Sequence, residues 1–70
     1  MERYFECVNE KSEKFWSIET DNDNLEMITC YGRVGTDGQV SIKIFGSAEE
    51  MEKKSSSLVR SKLKKGYVEK

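Results

Sequence analysis

The chain has no proline and no histidine among its 70 residues, and only two cysteines. Without histidine it lacks the side chain that most often serves as a general base near neutral pH, and it cannot complete a Cys/His zinc site. Cys7 and Cys30 form no CxxC pair and fall on separate predicted strands. They are read as reduced thiols filling strand positions, with no disulfide indicated. Neither has a neighbouring helper that would make it a nucleophile. The expectation is therefore no enzyme, no catalytic residue, no metal and no cofactor. There is also no run of about 18 apolar residues that could span a bilayer. Met1-Glu2-Arg3-Tyr4 is not a secretory leader. Together these predict a cytoplasmic protein without a membrane partner. No repeat, linker or low-complexity stretch divides the chain, so residues 1–70 are expected to form a single domain.

What the sequence does have is charge, 36% Asp, Glu, Lys and Arg, in a near balance of −1. That balance argues against strong non-specific nucleic-acid binding, but the distribution is uneven. Residues 1–35 carry four basic side chains against eight acidic ones, whereas residues 36–70 carry eight against five. The later excess lies in Lys53, Lys54, Arg60, Lys62, Lys64 and Lys65. Part of it is explained by helix electrostatics, with Glu49, Glu50 and Glu52 at a helix start and lysines at its end.

Alternation of apolar and polar residues predicts strands at Tyr4–Val8 and Lys14–Thr20, the second with Trp16 and Ile18 on one face and Ser17 and Glu19 on the other. Asp21-Asn22-Asp23-Asn24 is a hairpin signal, since these side chains bond their own backbone and tolerate positive φ. A third strand is expected from Leu25 to Val34, a turn at Asp37-Gly38, and a fourth strand at Gln39–Phe45 with Val40, Ile42 and Ile44 on one face. Ser47-Ala48-Glu49-Glu50 fits a capping box, Met51, Ser55, Leu58, Val59 and Leu63 form the apolar stripe of the helix that follows, and Gly66 stops it. Tyr67-Val68 is expected to return to the sheet as a short edge strand. The predicted fold is α+β: an antiparallel meander of four to five strands with one C-terminal helix packed on one face, leaving the other face free.

Within this frame Cys30-Tyr31-Gly32-Arg33-Val34-Gly35 places an aromatic, a glycine and an arginine at a strand end beside a glycine-rich turn. A ring can stack on a base or sugar, and a guanidinium grips phosphate or carboxylate with a planar fork. Gly32 would let a partner come near the backbone. Each has a plainer reading: Tyr31 at the sheet edge, Arg33 paired with Asp37 across its own turn, Gly32 as a bulge or turn residue. Lys43, on the fourth strand, is expected to extend the positive surface near the triplet.

The chain resembles the WGR domain family, named for a Trp-Gly-Arg triplet and found in DNA-dependent poly(ADP-ribose) polymerases and in small bacterial proteins. The resemblance rests on Lys14-Phe15-Trp16, Tyr31-Gly32-Arg33-Val34-Gly35-Thr36 with Gly38-Gln39, Lys43, Phe45, Ser47-Ala48-Glu49-Glu50 and Lys64-Lys65-Gly66-Tyr67. It is nearest to bacterial versions, including those grouped with proteins annotated in molybdate-metabolism regulation. In the polymerases the triplet recognises DNA breaks, which implies stacking for Tyr31, close approach for Gly32 and phosphate or domain contact for Arg33. Tyr31 departs from the family tryptophan and offers less stacking area.

The leading expectation is a monomeric, non-catalytic module that binds nucleic acid, DNA at an end or break, through Tyr31, Gly32, Arg33 and Lys43. The competing expectation is a protein-interaction or regulatory adaptor that uses the same surface, since Tyr and Arg are also favoured interface anchors.

Overall fold

A computed structural model describes residues 2–70; Met1, included in the expected domain and leader readings, lies outside the described residues. The elements are β1 (Glu2–Val8), β2 (Glu13–Asp21), β3 (Glu26–Arg33), β4 (Gln39–Ile44), α1 (Ala48–Lys64) and β5 (Val68–Glu69). The strands form one antiparallel open sheet in the order β4-β3-β2-β1-β5. Three hairpins build the meander, and the chain then crosses one face as α1 before β5 pairs with the free edge of β1.

The core lies between that face and the helix. Phe5, Trp16, Ile18 and Met27 project from the first three strands onto Met51 and Val59, with Phe45, Leu58 and Tyr67 packed around them. Phe5 and Trp16 stand opposite each other across β1 and β2, and their rings meet at 5.5 Å. The Ser47 hydroxyl accepts the amide of Glu50 (3.2 Å), which is the half of the expected capping box that starts the helix.

The end of the helix departs from the expected stripe. Eleven residues make just over three full turns, so Lys62 returns to the face of Met51 while Leu63 rotates about 120° away from it. Leu63 is accordingly 49% exposed. The Lys62 ammonium instead reaches 5.6 Å from the Trp16 ring centroid and 5.2 Å from that of Tyr67. Gly66, at φ 99°, then reverses the chain, with Tyr67 N donating to Lys62 O at 3.1 Å. This reversal folds Tyr67 back against the last turn.

Two further local readings shift. In the β2–β3 turn, Asp21 accepts the amides of Asp23 and Asn24 and the side-chain amide of Asn24, which together hold its carboxyl below the usual value. Yet the positive φ falls not on Asn or Asp but on Leu25, at 55°. The apolar row of β4 is real, but Val40, Ile42 and Ile44 point away from the helix and are 63%, 60% and 69% exposed.

The register also sorts charge. On the face that carries Phe5, Trp16 and Met27, the strands present Arg3, Lys14, Arg33 and Lys43, with Glu69 as their acidic residue. The opposite face presents Glu2, Glu6, Glu13, Glu19, Asp21 and Glu26 and no strand lysine or arginine. Glu69 is engaged by Arg3 through two bonds of 2.9 and 2.7 Å, which fasten β5 to β1. The guanidinium holds the Glu69 carboxyl below its ordinary value of 4.5, chiefly by hydrogen bonding. A carboxyl lowered by folding contributes stability that is complete above its unfolded pKa and is lost as pH falls through the lowered value. Acidification below 4.5 is therefore expected to release β5 first. Hydrogen exchange at the Lys70 amide, which donates to Tyr4 O at 2.9 Å, is the measure. Protection there that stays level with the Ile18 strand down through this range would contradict it.

Candidate nucleic-acid interface

Tyr31 and Arg33 are alternate residues at the end of β3, so both side chains leave the sheet on the helix face. Tyr31 stands opposite Trp16, which is buried, and yet is itself 43% exposed: α1 packs on β3 at Met27, whose sulfur accepts from Ser55 Oγ at 3.5 Å, four residues back along the strand. Its hydroxyl donates to Gln39 Oε1 at 3.3 Å, the side chain across from it on β4. Arg33 is exposed, and among the described residues it has no ion pair; the expected alternative bond to Asp37 is not formed.

The residue directly opposite Arg33 is Lys14. Two cations facing each other across an antiparallel pair repel, and no carboxylate on that face comes between them. The last turn of the helix brings Lys62 to the same place. A groove of 270 Å³ results, lined by Lys14, Tyr31, Arg33, Lys62 and Tyr67, with Ser12, Glu13, Phe15 and Gly32 completing its wall. The Lys62 ammonium is held below the usual lysine value by burial first, then by repulsion from Lys65 and Lys14. Tyr67 is pushed up by burial, so its hydroxyl stays protonated and able to donate at neutral pH. A desolvated cation repelled by its neighbours is relieved by an anion, and the flanking rings offer faces to a planar group.

Gly32 lies between the two site residues with its missing side chain on the other side of the sheet. A Cβ there would stand 2.9 Å from Gly38 Cα and 3.6 Å from Phe15 Cε1. The open position is therefore filled by the chain's own β3–β4 turn. That turn is held by Thr36, whose amide and hydroxyl both donate to Arg33 O at 3.1 and 2.7 Å. Gly32 thus fixes where Tyr31 and Arg33 emerge.

Lys43 is not brought to the triplet. It shares the helix face but pairs with Met27, four residues along β4 from the Gln39 that faces Tyr31. At about 3.4 Å per residue this is roughly 14 Å away. Its ammonium lies 5.3 Å from the Phe45 ring centroid instead. In its place the fold supplies Lys14, Lys62 and Tyr67. The first and last were legible as parts of Lys14-Phe15-Trp16 and Lys64-Lys65-Gly66-Tyr67. Lys62 could have been found by counting three turns from Met51, but the helix-dipole reading of the lysine-rich end concealed it.

Cys7 and Cys30 are free and leave the sheet on opposite faces, the latter donating to Asp37 O at 3.3 Å. No cluster of three or more His, Cys, Asp or Glu arranged for a metal occurs among the described residues, and no helix among them is long and apolar enough to cross a membrane.

The family model described as WGR domain matches residues 1–70. YfeS, an uncharacterized protein of Escherichia coli (strain K12), is 41% identical over 69 residues, which cover 99% of this chain and 28% of YfeS. YehF of the same organism is 42% identical over 67 residues, 96% of this chain and 24% of YehF. A crystal structure of a Bacteroides fragilis protein aligns with a TM-score of 0.93 and 47% identity over 100% of this chain and 19% of that one. The chain thus spans about a quarter of the length of the curated relatives it matches.

Proposed function

The chain belongs to the WGR domain family, a family of small binding modules, and from that premise we propose that residues 1–70 act as one non-catalytic nucleic-acid-binding module, with DNA at an end or break as the ligand. The groove takes the terminal phosphates between Lys14, Arg33 and Lys62, and the Tyr31 ring stacks on the terminal nucleotide. Gly32 acts through its neighbours, by fixing the directions of Tyr31 and Arg33.

The observation that carries this reading is the placement of Lys14 directly opposite Arg33 with Lys62 above them, a set of cations that forms no ion pair among the described residues, with Glu13 the one acidic residue on the groove wall, and that surrounds an exposed ring. Folding alone gains nothing from such a set. A ligand carrying closely spaced negative charge and flat bases satisfies each member.

Three phosphate contacts imply a log–log salt slope of about −2.7 for duplex DNA. Titration of a labelled, 5′-phosphorylated duplex across a salt series is expected to show it. Arg33→Ala should lower the slope by about 0.9 and the affinity roughly tenfold at low salt. Tyr31→Ala should weaken binding by about 1–3 kcal/mol without changing the slope, because stacking releases no counterions. Salt-independent association, or an Arg33→Ala variant that binds like the parent, would remove this function.

A further inference from the structure

The sheet face turned away from the helix is chemically unlike the groove. Its apolar centre is the row Val40, Ile42 and Ile44, with Ile28 beside Ile42 and Cys30 beside Val40 across the β3–β4 pairing. Three of these side chains are at least 60% exposed. Contiguous apolar surface of this kind marks a contact site. Carboxylates adjoin it directly: Glu26 faces Ile44 on the neighbouring strand, and Glu19 faces Ile28. Glu2 lies next to Glu19 across β1 and β2.

We propose that this face is a second docking surface, which receives a basic amphipathic helix of a protein partner, apolar on the side laid against Val40, Ile42, Ile44 and Ile28 and bearing lysines or arginines that meet Glu2, Glu19 and Glu26. Charge selects this occupant. Nucleic acid is repelled by a face whose strand charges are all negative. A second copy laid face to face brings two such acidic rims into one interface, because two-fold symmetry presents the same patch from both sides. A cationic helix satisfies the carboxylates and covers the row in the way α1 covers the opposite face, converting two layers into three. Because the groove opens on the helix side of the sheet, both ligands are held at once, and the module links a nucleic-acid end to a basic protein element.

The probe is a synthetic helical peptide of about 14 residues, roughly 21 Å long, with leucines along one side and lysines flanking them, compared with the same peptide carrying glutamate for lysine. NMR titration is expected to move the amides of Ile28, Cys30, Val40, Ile42 and Ile44, with the lysine peptide binding at least about tenfold tighter at low salt. Ile42→Lys should weaken that binding about tenfold, and Glu19→Gln with Glu26→Gln should weaken it severalfold and flatten its salt dependence. The second pair keeps the test independent of any change in fold at Ile42. Equal binding of the two peptides, shifts gathered at Tyr31 and Arg33, or self-association of the chain that Ile42→Lys abolishes would each overturn the proposal, the last in favour of a second copy.

Discussion

Replacing Gly38 by alanine is expected to be the most damaging single methyl that can be added to this chain. Gly38 has φ 75°, and a Cβ there would stand 2.6 Å from Phe15 Cζ and 2.6 Å from the Tyr31 carbonyl oxygen. Neither neighbour can give way. Phe15 is 8% exposed, sandwiched between this turn and the Tyr4 ring, whose centroid lies 5.9 Å away. The Tyr31 carbonyl belongs to the β3 backbone. Gly35 supplies the control, because it has φ 93° and no atom within 4 Å of its Cβ position. Gly35→Ala should cost only the left-handed strain, about 1–2 kcal/mol, whereas Gly38→Ala adds overpacking and should lose roughly 2–5 kcal/mol. A domain of this length has about 4–10 kcal/mol in total. Urea unfolding of the two variants measures the difference, and equal midpoints would refute the argument. A Gly38→Ala chain that remains folded should also bind DNA more weakly, since the displaced carbonyl is that of Tyr31.

This chain shows what a linear pattern specifies and what it leaves open. The alternation around Trp16 and Ile18, the Ser47 cap and the Gly66 stop each depend on a few neighbouring residues, and all three stand as the sequence implies. Alternation in β4 implied two faces, but which face the helix covers depends on where the chain crosses the sheet, so the exposure of Val40, Ile42 and Ile44 was not legible. Leu25 takes the positive φ while Asp21 and Asn24 bond the turn, a division among neighbours that residue preferences do not give. The site divides similarly. Tyr31 and Arg33 were legible because they lie one residue apart on one strand. Lys14 reaches them through strand register, a tertiary quantity, and Lys62 through helix phase, which a count of turns gives without saying what the end of the helix meets. Lys43 shares the β3–β4 pair with the triplet but lies at its opposite end, a distance that membership of the same hairpin does not reveal.

Lys62→Glu is expected to abolish DNA binding at moderate salt while leaving the domain folded, and this separates the groove from the general basicity of the C-terminal half. The native ammonium is disfavoured by burial and by Lys65 and Lys14. A carboxylate at the same position meets those two lysines as partners, which offsets the loss of the cation contacts to Trp16 and Tyr67, so stability should change by no more than about 1 kcal/mol. For the ligand the change is opposite in sign. One phosphate contact disappears and a negative charge enters the groove, so the salt slope should fall from about −2.7 to roughly −1 and the affinity by about a hundredfold at low salt. Lys43→Glu makes the same change in net charge roughly 14 Å from Tyr31, and should weaken binding only a fewfold through long-range screening. Fluorescence titration of both variants at two salt concentrations decides between the readings. Equal losses would mean that DNA senses the overall field of the protein, and the assembly of Lys14, Arg33 and Lys62 around Tyr31 would then have no recognition role.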